Sequence, residues 1–588
     1  MSIQAALESS LSAGRQRAAQ RLSRWNRAHV IGVGALTAVI AAIYSVYALV
    51  LYSTYQDTSY DLVIFDQAVR SYSRFHLGIS IIKGLQDGFS ANFSVLGDHF
   101  SPIDAALAPL YWIYDGPQTL LIAQAVLFAL AIPWLWVFAR RAFGGGGRKA
   151  TAAAYLVCAG YGLSWPIAAA LAFDYHEVAF APVLTAIALE RLQAGRLRTA
   201  LVALALLLLV KEDMGLLVAG IGLVLAVSRR PTIRRQRLVG IGLIVAGIAF
   251  TALATYVLIP AFGGRGNYYW AYSSLGHNIP QVIEHIVRSP AQFVRTMFSP
   301  PVKLTTLTWL FAAFCLLPLL SPITLAALPL LVERMQADPA FSAWWGERGQ
   351  YNAFLVVILV LAAVDGAARL DRWATRAWRY LQSGPASVPD AVTAAAGAAT
   401  SGAVSAADGE PVTDGALDDR FAVQRDGSRA ARRVGTGTIA FSCCAAICAA
   451  TLVSLPAFAL GKALHPSFYE QTPQSRAAAA ADATVPSGVV VAAANHLGPE
   501  LSGRDTVLMW DGEGSTPPLA APWVVADVAR RQFNFASVAQ QQVNVAFLQR
   551  HGYSVVFSRD GYLVLHRPGP PHLYTTRVPV GGTAQAAE

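Results

Sequence analysis

Long apolar stretches separated by short polar segments dominate the first 461 residues of the chain. A membrane span needs about 20 apolar residues to cross about 30 Å of hydrocarbon, and windows of that kind recur here. With the basic loops placed in the cytoplasm, the pattern predicts a mainly α, polytopic transmembrane bundle with its amino terminus inside and its carboxyl terminus outside. About eleven spans are predicted, at 29–51, 118–139, 150–170, 177–193, 198–211, 213–228, 238–260, 304–320, 322–336, 351–368 and 437–461.

Two of these segments, 198–211 and 213–228, are short for independent spans. Basic residues lie at both of their outer ends, so we expect the pair to form a hairpin that just reaches the far face of the membrane. The apex of the hairpin is Lys211-Glu212-Asp213. Three ionisable residues are therefore predicted at the outer end of the bundle.

The composition agrees with a membrane protein. Hydrophobic residues make up 55% of the chain, charged residues make up 14%, and the mean hydropathy is +0.44, which would leave a soluble protein covered in apolar surface. The net charge is +10, but the arginines lie mostly in short loops between spans, so nucleic-acid binding is not expected. The five cysteines lie in apolar windows and imply neither a disulfide framework nor a zinc site.

Polar stretches divide the chain into parts. We expect residues 1–28 to form a basic cytoplasmic segment and residues 29–380 to form the transmembrane core. Residues 381–435 bury too little apolar surface to offset the entropy of ordering, which predicts a disordered cytoplasmic linker. The other predicted parts are extracytoplasmic loops at 52–117 and 261–303, a last transmembrane helix at 436–461, an extracytoplasmic α/β domain at 466–570 and a disordered tail at 571–588.

Short runs rich in β-branched residues replace the long apolar stretches after the last span. Asp560-Gly561 favours a two-residue hairpin turn. The sequence of this domain contains no evident nucleophile, metal set or phosphate-binding loop, so we expect it to bind an acceptor or to dock a partner. Its predicted elements are strands at 488–493, 506–510, 523–527, 554–557 and 562–565 and a helix at about 538–551.

Ionisable residues cluster at the ends of the apolar segments. A charge in or near hydrocarbon costs at least a few kcal/mol, so charges retained there usually line a water-filled cavity or a substrate site. We expect these clusters to converge on one extracytoplasmic cavity. They are Asp57, Asp61 and Asp66; Asp98 and His99; Asp174, His176 and Glu177; and Lys211, Glu212 and Asp213.

Four ordered motifs in these clusters resemble a bacterial family of predicted membrane proteins that is known only as a domain of unknown function. The similarity extends over about residues 30 to 370 and includes the tail domain. In topology and in the placement of its acids, that family is similar to the GT-C class of membrane glycosyltransferases. The motifs are Tyr60-Asp61-Leu62-Val63-Ile64-Phe65-Asp66-Gln67, Gly97-Asp98-His99-Phe100-Ser101-Pro102, Phe173-Asp174-Tyr175-His176-Glu177 and Val210-Lys211-Glu212-Asp213.

The GT-C resemblance implies an enzyme that takes a sugar from a polyprenyl-phosphate donor at the outer face of the membrane and modifies a cell-envelope acceptor. In that class an acid in the first extracytoplasmic loop acts as the catalytic base or organises a metal. Asp66 matches this placement best, and Asp61 follows it. Transfer to a hydroxyl needs a group that accepts the proton, which a carboxylate can do. A helix cap or a solvated loop acid is the structural alternative.

The remaining motifs offer binding groups, each with a structural alternative. Lys211 is suited to neutralise a donor phosphate, or it pairs with its neighbours at the hairpin tip. Asp98 and His99 lie at a loop that re-enters an apolar segment, where His99 is suited to ligate a metal or to donate to a phosphate; in the structural alternative, Asp98 caps a turn. Arg348 is either a phosphate contact or an interfacial anchor. The substrate-binding candidates are Asp98, His99, Lys211, Glu212, Asp213 and Arg348.

Asp174, His176 and Glu177 are the candidate metal ligands. They offer two carboxylates and an imidazole within four residues, a mix suited to a divalent cation. The sequence has no strict spacing such as His-Glu-x-x-His at this point. In the structural alternative, the segment is a polar loop tip whose Glu177 caps the next helix.

Two other functions are compatible with this pattern. A transporter or flippase of a lipid-linked or amphipathic substrate would use the same charges as a translocation path, although the clusters lie at one face and no internal repeat is evident in the sequence. A non-catalytic envelope scaffold would act through its tail domain. For a scaffold, deletion of residues 466–588 would abolish the phenotype, whereas Asp66→Asn would not.

Overall fold

The computed structural model describes residues 3–228, 235–265, 270–382, 437–511 and 521–570. Nearly all of the predicted linker, and all of the predicted tail, lie outside these residues. Six helical segments of the described chain are long and apolar enough to cross a membrane, and two shorter apolar helices accompany them. The polytopic helical bundle is confirmed. The six segments are Arg27–Ser53, Gln118–Ala142, Arg148–Leu171, Gln236–Ala261, Gln350–Trp378 and Thr438–Ala457.

The helices of the first half are α1 (Ile3–Ser53), α2 (Ile64–Ser73), α3 (Ile81–Gln86), α4 (Ala108–Tyr111), α5 (Gln118–Ala129), α6 (Ile132–Ala142), α7 (Arg148–Gly162), α8 (Trp165–Leu171), α9 (Phe180–Gln193), α10 (Leu197–Leu207) and α11 (Met214–Val227). The pairs α5–α6 and α7–α8 each form one apolar segment that is interrupted by a turn. Helices α10 and α11 are the two short apolar helices, and the turns between them carry Lys211. The predicted hairpin apex is therefore present.

The helices of the second half are α12 (Gln236–Leu253), α13 (Ile259–Ala261), α14 (Ile279–Arg288), α15 (Pro290–Thr296), α16 (Pro301–Ala312), α17 (Leu328–Met335), α18 (Ala353–Gln382) and α19 (Thr438–Ser454). Helices α16 and α17 are shorter than the spans predicted at 304–320 and 322–336. The 12 residues of α16 extend about 18 Å. Cys315 (φ 54°) and Leu316 (φ 56°) adopt left-handed backbone conformations that end this helical region, and 3₁₀ turns follow.

In its described residues the tail domain is a five-stranded sheet with three helices; the sequence predicts the five strands and one of the helices, at about 538–551. The strands are β1 (Val490–Ala493), β2 (Thr506–Met509), β3 (Trp523–Asp527), β4 (Ser554–Arg559) and β5 (Tyr562–His566), and the helices are α20 (Pro473–Asp482), α21 (Gly498–Ser502) and α22 (Val538–Arg550). The strand order is β2-β1-β3-β5-β4, in which β1 runs parallel to both neighbours and β5 antiparallel to both of its own. Asp560 (φ 49°) and Gly561 (φ 87°) form the hairpin turn with the positive φ angles that this pair favours.

The sheet packs against the loop that follows α1. Backbone N–H of Ser59 donates to the carbonyl of Asn495 (2.6 Å), and the side-chain amide of Gln67 donates to the carbonyl of Val507 (2.9 Å). Apolar residues of α2 and α3 share one hydrophobic core with the inner face of the sheet. The tail domain therefore lies at the same end of the helical bundle as the first long loop.

Candidate functional site

The first acidic motif starts just after α1, in a π-helical turn at Ser59–Val63. Asp61 lies in this turn with 22% of its side chain exposed, and its Oδ1 is 3.4 Å from Nε2 of His176. Thr58, which precedes the turn, donates its backbone N–H (2.9 Å) and its hydroxyl (2.5 Å) to the carboxylate of Asp174. Two contacts thus join the first motif to the third.

The third motif is held in place by its backbone. Asp174 adopts a left-handed conformation (φ 42°) between α8 and α9. The side chain of Gln124, on α5, donates to the carbonyl of Asp174 (2.7 Å) and accepts from the N–H of His176 (3.1 Å). Burial, followed by the nearby charge of Asp61, raises the pKa of Asp174 to about 7.

Asp104 belongs to the same site, although the sequence analysis did not select it. Its Oδ1 accepts a hydrogen bond from the hydroxyl of Tyr175 (2.7 Å), and the residue is fully buried. Burial, followed by the charge of Glu177, raises the pKa of Asp104 to about 8. The available signal was its position, because Asp104 comes only two residues after the motif that ends at Pro102.

The hairpin apex meets the third motif through an ion pair. Nζ of Lys211 is 3.0 Å from Oε1 of Glu177, with 15% of the lysine side chain exposed and the glutamate fully buried. Burial alone would lower the pKa of Lys211, but the neighbouring carboxylates, Glu177 first, raise it. The same pair lowers the pKa of Glu177 against the effect of burial. Both groups are therefore held in their charged forms.

The second motif also contacts the hairpin apex. Nδ1 of His99 is 2.8 Å from Oε1 of Glu212, and the N–H of Phe100 donates to Oε2 (3.2 Å). Burial opposes ionisation, but the adjacent imidazole holds the pKa of Glu212 at about 2. We name the connected groups the polar cluster. It consists of Asp61, His99, Asp104, Asp174, His176, Glu177, Lys211 and Glu212.

Asp57 and Asp213 lie at the border of the polar cluster. Burial raises the pKa of Asp57, and the charge of Asp174 adds to that rise. Asp213 precedes α11 at the hairpin apex, and burial raises its pKa to about 7 although Lys211 opposes the rise. Neither carboxylate is held charged in the way that Glu177 is.

Asp66 has different surroundings from the polar cluster. Its side chain is 0% exposed and forms a bidentate ion pair with Arg70, with distances of 2.6 and 3.1 Å. The hydroxyls of Tyr111 (2.8 Å) and Ser502 also donate to it. Ser502 belongs to the tail domain, so this carboxylate links α2 to that domain. We name Asp66, Arg70, Tyr111 and Ser502 the Asp66 clamp.

Asp98 and Arg348 are also placed apart from the polar cluster. Asp98 is 3.1 Å from Nζ of the buried Lys83, which pairs in addition with Asp87 at 2.7 Å. Arg348 is exposed. The buried arginine of this region is Arg334, which donates to the backbone carbonyls of the loop around Arg348, and the sequence analysis did not select it.

The three candidate metal ligands point to different partners. Asp174 is held by Thr58, His176 lies beside Asp61, and Glu177 pairs with Lys211. Across the described parts of the chain, no group of three or more His, Cys, Asp or Glu side chains could hold a metal ion. The metal set predicted from the sequence is therefore not formed, because a separate contact occupies each of its members.

The polar cluster contains two partly exposed groups of opposite charge. Asp61 is a partly exposed carboxylate next to an imidazole, which is an arrangement that can accept a proton. Lys211 is a partly exposed ammonium whose charge is maintained by a buried carboxylate, and such a group can bind an anion. The cluster lies outside the six apolar segments that are long enough to cross a membrane.

Comparison with known proteins identifies one family and several similar solved structures, which include two of ArnT. A search of curated proteins returns no match. ArnT from Cupriavidus metallidurans bound to undecaprenyl phosphate is 15% identical, with a TM-score of 0.45 over 91% of this chain and 97% of that one. ArnT from the same organism in the apo state is 14% identical, with a TM-score of 0.42 over 92% of this chain and 98% of that one. The sequence profile of predicted membrane proteins of the family DUF2079 matches residues 51–388, more than half of the chain, so this multi-pass membrane protein belongs to that family.

Proposed function

We propose that this protein is a membrane glycosyltransferase that takes a sugar from a polyprenyl-phosphate donor and modifies a cell-envelope acceptor at the outer face of the membrane. The observation that carries the proposal is the polar cluster. The motifs that contribute to it are up to about 150 positions apart in the sequence. Their side chains form one set of contacts next to the tail domain. The resemblance to GT-C enzymes supplies the substrate class.

Asp61 is our candidate for the catalytic base. In the proposed step, an acceptor hydroxyl attacks the anomeric carbon of the sugar, the bond from that carbon to the phosphate oxygen breaks, and the phosphate leaves with the electron pair. Asp61 takes the hydroxyl proton. Its 22% exposure leaves room for a substrate, and its 3.4 Å contact with His176 fixes its position.

Lys211 is our candidate for the cation that stabilises the departing phosphate. An ammonium placed where negative charge develops lowers the free energy of the transition state. Its ion pair with Glu177 maintains the positive charge, and its partial exposure permits a second anion to approach. His99 and Glu212 hold the hairpin apex that carries it.

We assign Asp66 to positioning, in revision of the role expected from its place in the loop. Four hydrogen bonds from three partners and the absence of exposed surface leave this carboxylate no free approach for an acceptor hydroxyl. The Asp66 clamp instead fixes α2 against the tail domain. Asp98, paired with Lys83, has the same kind of role in the neighbouring loop.

The proposed side of the membrane follows from the distribution of basic residues. Arg140, Arg141 and Arg191 lie at the ends of α6 and α9 that are remote in the chain from the polar cluster. The positive-inside rule assigns such ends to the cytoplasm. The polar cluster and the tail domain then face outward, where a lipid-linked sugar and an envelope acceptor meet.

An enzyme accounts for the position of the charges better than a transporter does. A translocation path places ionisable groups near the middle of the bilayer, between helices. The polar cluster instead lies outside the six long apolar segments and borders a folded domain.

The proposal is tested by Asp61→Asn in membranes that receive a polyprenyl-phosphate-linked sugar carrying a radioactive label. Loss of the base should reduce transfer to the envelope fraction by about 10²- to 10⁴-fold. Asp560→Asn is the matched control, because Asp560 is a half-exposed acid in the hairpin turn of the tail domain, outside both the polar cluster and the Asp66 clamp. Transfer at the wild-type rate by Asp61→Asn would remove Asp61 from the mechanism.

A further inference from the structure

A cavity of 810 Å³ separates the tail domain from the segments that connect it to the membrane part. One wall is formed by the residues that follow α1, and a second by the segment between α19 and α20 together with the first turn of α20. The third wall is the end of the sheet, with Asn495 and His496 after β1 and Asp527 at the end of β3. The catalytic assignments above do not use this cavity.

The position of the cavity in the sheet is typical of a ligand site. Strand β1 lies between β2 and β3 and runs parallel to both, so the strand order changes direction at β1. In open sheets with parallel strands, ligands bind in the crevice outside the carboxyl ends of the strands, at such a change of direction. The residues that follow β1 and β3 line this crevice.

The residues around the cavity combine polar side chains with aromatic rings. Of the 20 described residues that line it, nine carry amides or hydroxyls, four are aromatic and seven are charged or histidine, while none is aliphatic. The amides and hydroxyls match the hydroxyl groups of a sugar, and the rings and other carbon surface of the wall, such as Phe533, match the C–H face of a sugar ring.

The charges of the cavity favour an anionic group on that sugar. Arg530 is paired with the buried Asp527, at 2.8 Å between Nε and Oδ2. Two further cationic side chains, Lys462 and Arg531, line the cavity. Glu470 is the one further carboxylate among the described lining residues, so positive charge is in excess. A carboxylate or phosphate on the ligand would restore the charge balance.

His496 is held at the centre of the sheet end. Its Nδ1 is 3.2 Å from the side-chain oxygen of Gln532, and its Nε2 is 3.2 Å from the hydroxyl of Tyr562 and 3.5 Å from Oδ2 of Asp527. Ordered side chains of this kind form a site whose shape exists before the ligand arrives, which reduces the entropy lost on binding.

We propose that this cavity is a binding site for an acidic saccharide, a sugar that carries a carboxylate or phosphate. The cavity adjoins the polar cluster, because Thr58 lines it and donates its hydroxyl to Asp174. The role of the bound sugar as the acceptor rests on the proposed function. Binding itself does not, because it needs neither a donor nor turnover.

The test is calorimetric titration of the full-length protein in detergent with trigalacturonate, with galactose trisaccharide as the uncharged match and with inorganic phosphate. We expect trigalacturonate to bind at least about tenfold more tightly than either of the other two, since both the charge and the sugar contribute. Equal binding of the neutral trisaccharide, equal binding of phosphate, or no binding of trigalacturonate at millimolar concentration would each overturn the proposal.

Variants locate the binding. Lys462→Gln and Arg531→Gln should each weaken trigalacturonate binding by about tenfold, whereas Arg550→Gln, an exposed arginine of the same domain outside the cavity wall, should leave it unchanged. Unchanged binding by both cavity variants would overturn the assignment. The titrations contain no donor and measure no transfer, so tight binding of trigalacturonate by a protein that transfers no sugar would overturn the proposed function alone, and weak binding would overturn this inference alone.

Discussion

Asp61 and Asp66 lie five residues apart in one loop, and both are carboxylates next to a nitrogen-containing partner. Asp61 is 22% exposed, with a single 3.4 Å contact to an imidazole. Asp66 is fully buried and accepts hydrogen bonds from Arg70, Tyr111 and Ser502. The two carboxylates differ in their hydrogen-bond partners and in their exposure to solvent. These two properties, more than position in the sequence, indicate whether a carboxylate is suited to react or to stabilise the fold.

The neighbours of each carboxylate decide its pKa in both regions. Burial raises the pKa of Asp66, and Arg70 and the two hydroxyls reduce that rise. In the polar cluster, burial and Asp61 raise the pKa of Asp174 to about 7, whereas Lys211 lowers the pKa of Glu177 and His99 lowers that of Glu212. A carboxyl group with a pKa near 7 can exchange protons near neutral pH, whereas the ion-paired carboxylates stay charged.

The strongest test of this comparison is the removal of the buried carboxylate. Asp66→Ala should lower the free energy of unfolding by about 3–5 kcal/mol, because Arg70 would keep only its pair with the exposed Asp115 and the hydroxyls of Tyr111 and Ser502 would lose their acceptor. Asp61→Ala should lower it by less than about 1 kcal/mol, because its side chain reaches solvent and has one weak contact. Thermal unfolding in detergent measures both. Equal losses would contradict the division between the Asp66 clamp and the polar cluster.

The ion pair at the hairpin apex provides a second test, within the polar cluster. Lys211→Met should destabilise the protein by about 2–3 kcal/mol, because Glu177 would remain buried and charged without its partner. The double variant Lys211→Met/Glu177→Gln should recover at least half of that loss, since both charges are then removed. No recovery in the double variant would mean that Lys211 stabilises the fold through contacts other than this pair.

A change of pH should reveal the contribution of Asp104. The pKa of Asp104 is about 8 in the folded protein, whereas in the unfolded chain it has its ordinary value of 3.8. The folded state therefore binds this proton more tightly than the unfolded state does. The stabilisation that results is complete below pH 3.8 and is lost as the pH rises through about 8. Asp104→Asn keeps an oxygen for the hydroxyl of Tyr175 and removes this dependence. The melting temperature of the wild type should therefore fall relative to that of the variant between pH 5 and pH 8.5. Parallel curves would show that Asp104 is charged throughout.

Much of the fold could be predicted because the signals are local. Long apolar windows predict the helices of the bundle, and Asp560-Gly561 predicts the hairpin turn that the structure contains. The region around Cys315 could not be predicted in this way. Its apolar composition resembles a span, and only the left-handed backbone at Cys315 and Leu316 reveals the break.

The site could be predicted only in part, because partners remote in sequence decide the role of each group. Arg70, four residues after Asp66, is a local signal for a helical ion pair. Ser502 lies 436 residues away from Asp66, and spacing within the loop contains no information about that contact. The same holds for Gln124, whose amide orients Asp174 and His176 from another helix.

The smallest effect that we predict concerns Arg348, and it extends the comparison to a pair of arginines. Arg334 is buried and donates hydrogen bonds to the carbonyls of Trp344 and Tyr351, so it shapes the loop, whereas Arg348 in that loop is exposed. An exposed charge interacts weakly with a ligand in water, so Arg348→Ala should change glycosyl transfer by about fivefold or less and should leave the melting temperature within about 1 °C of the wild type. Arg348→Lys is the control that keeps the charge. A hundredfold loss of transfer in Arg348→Ala that Arg348→Lys restores would contradict this expectation. It would show that the loop moves Arg348 onto the donor phosphate, so that the exposure of this side chain in the present structure does not indicate its role.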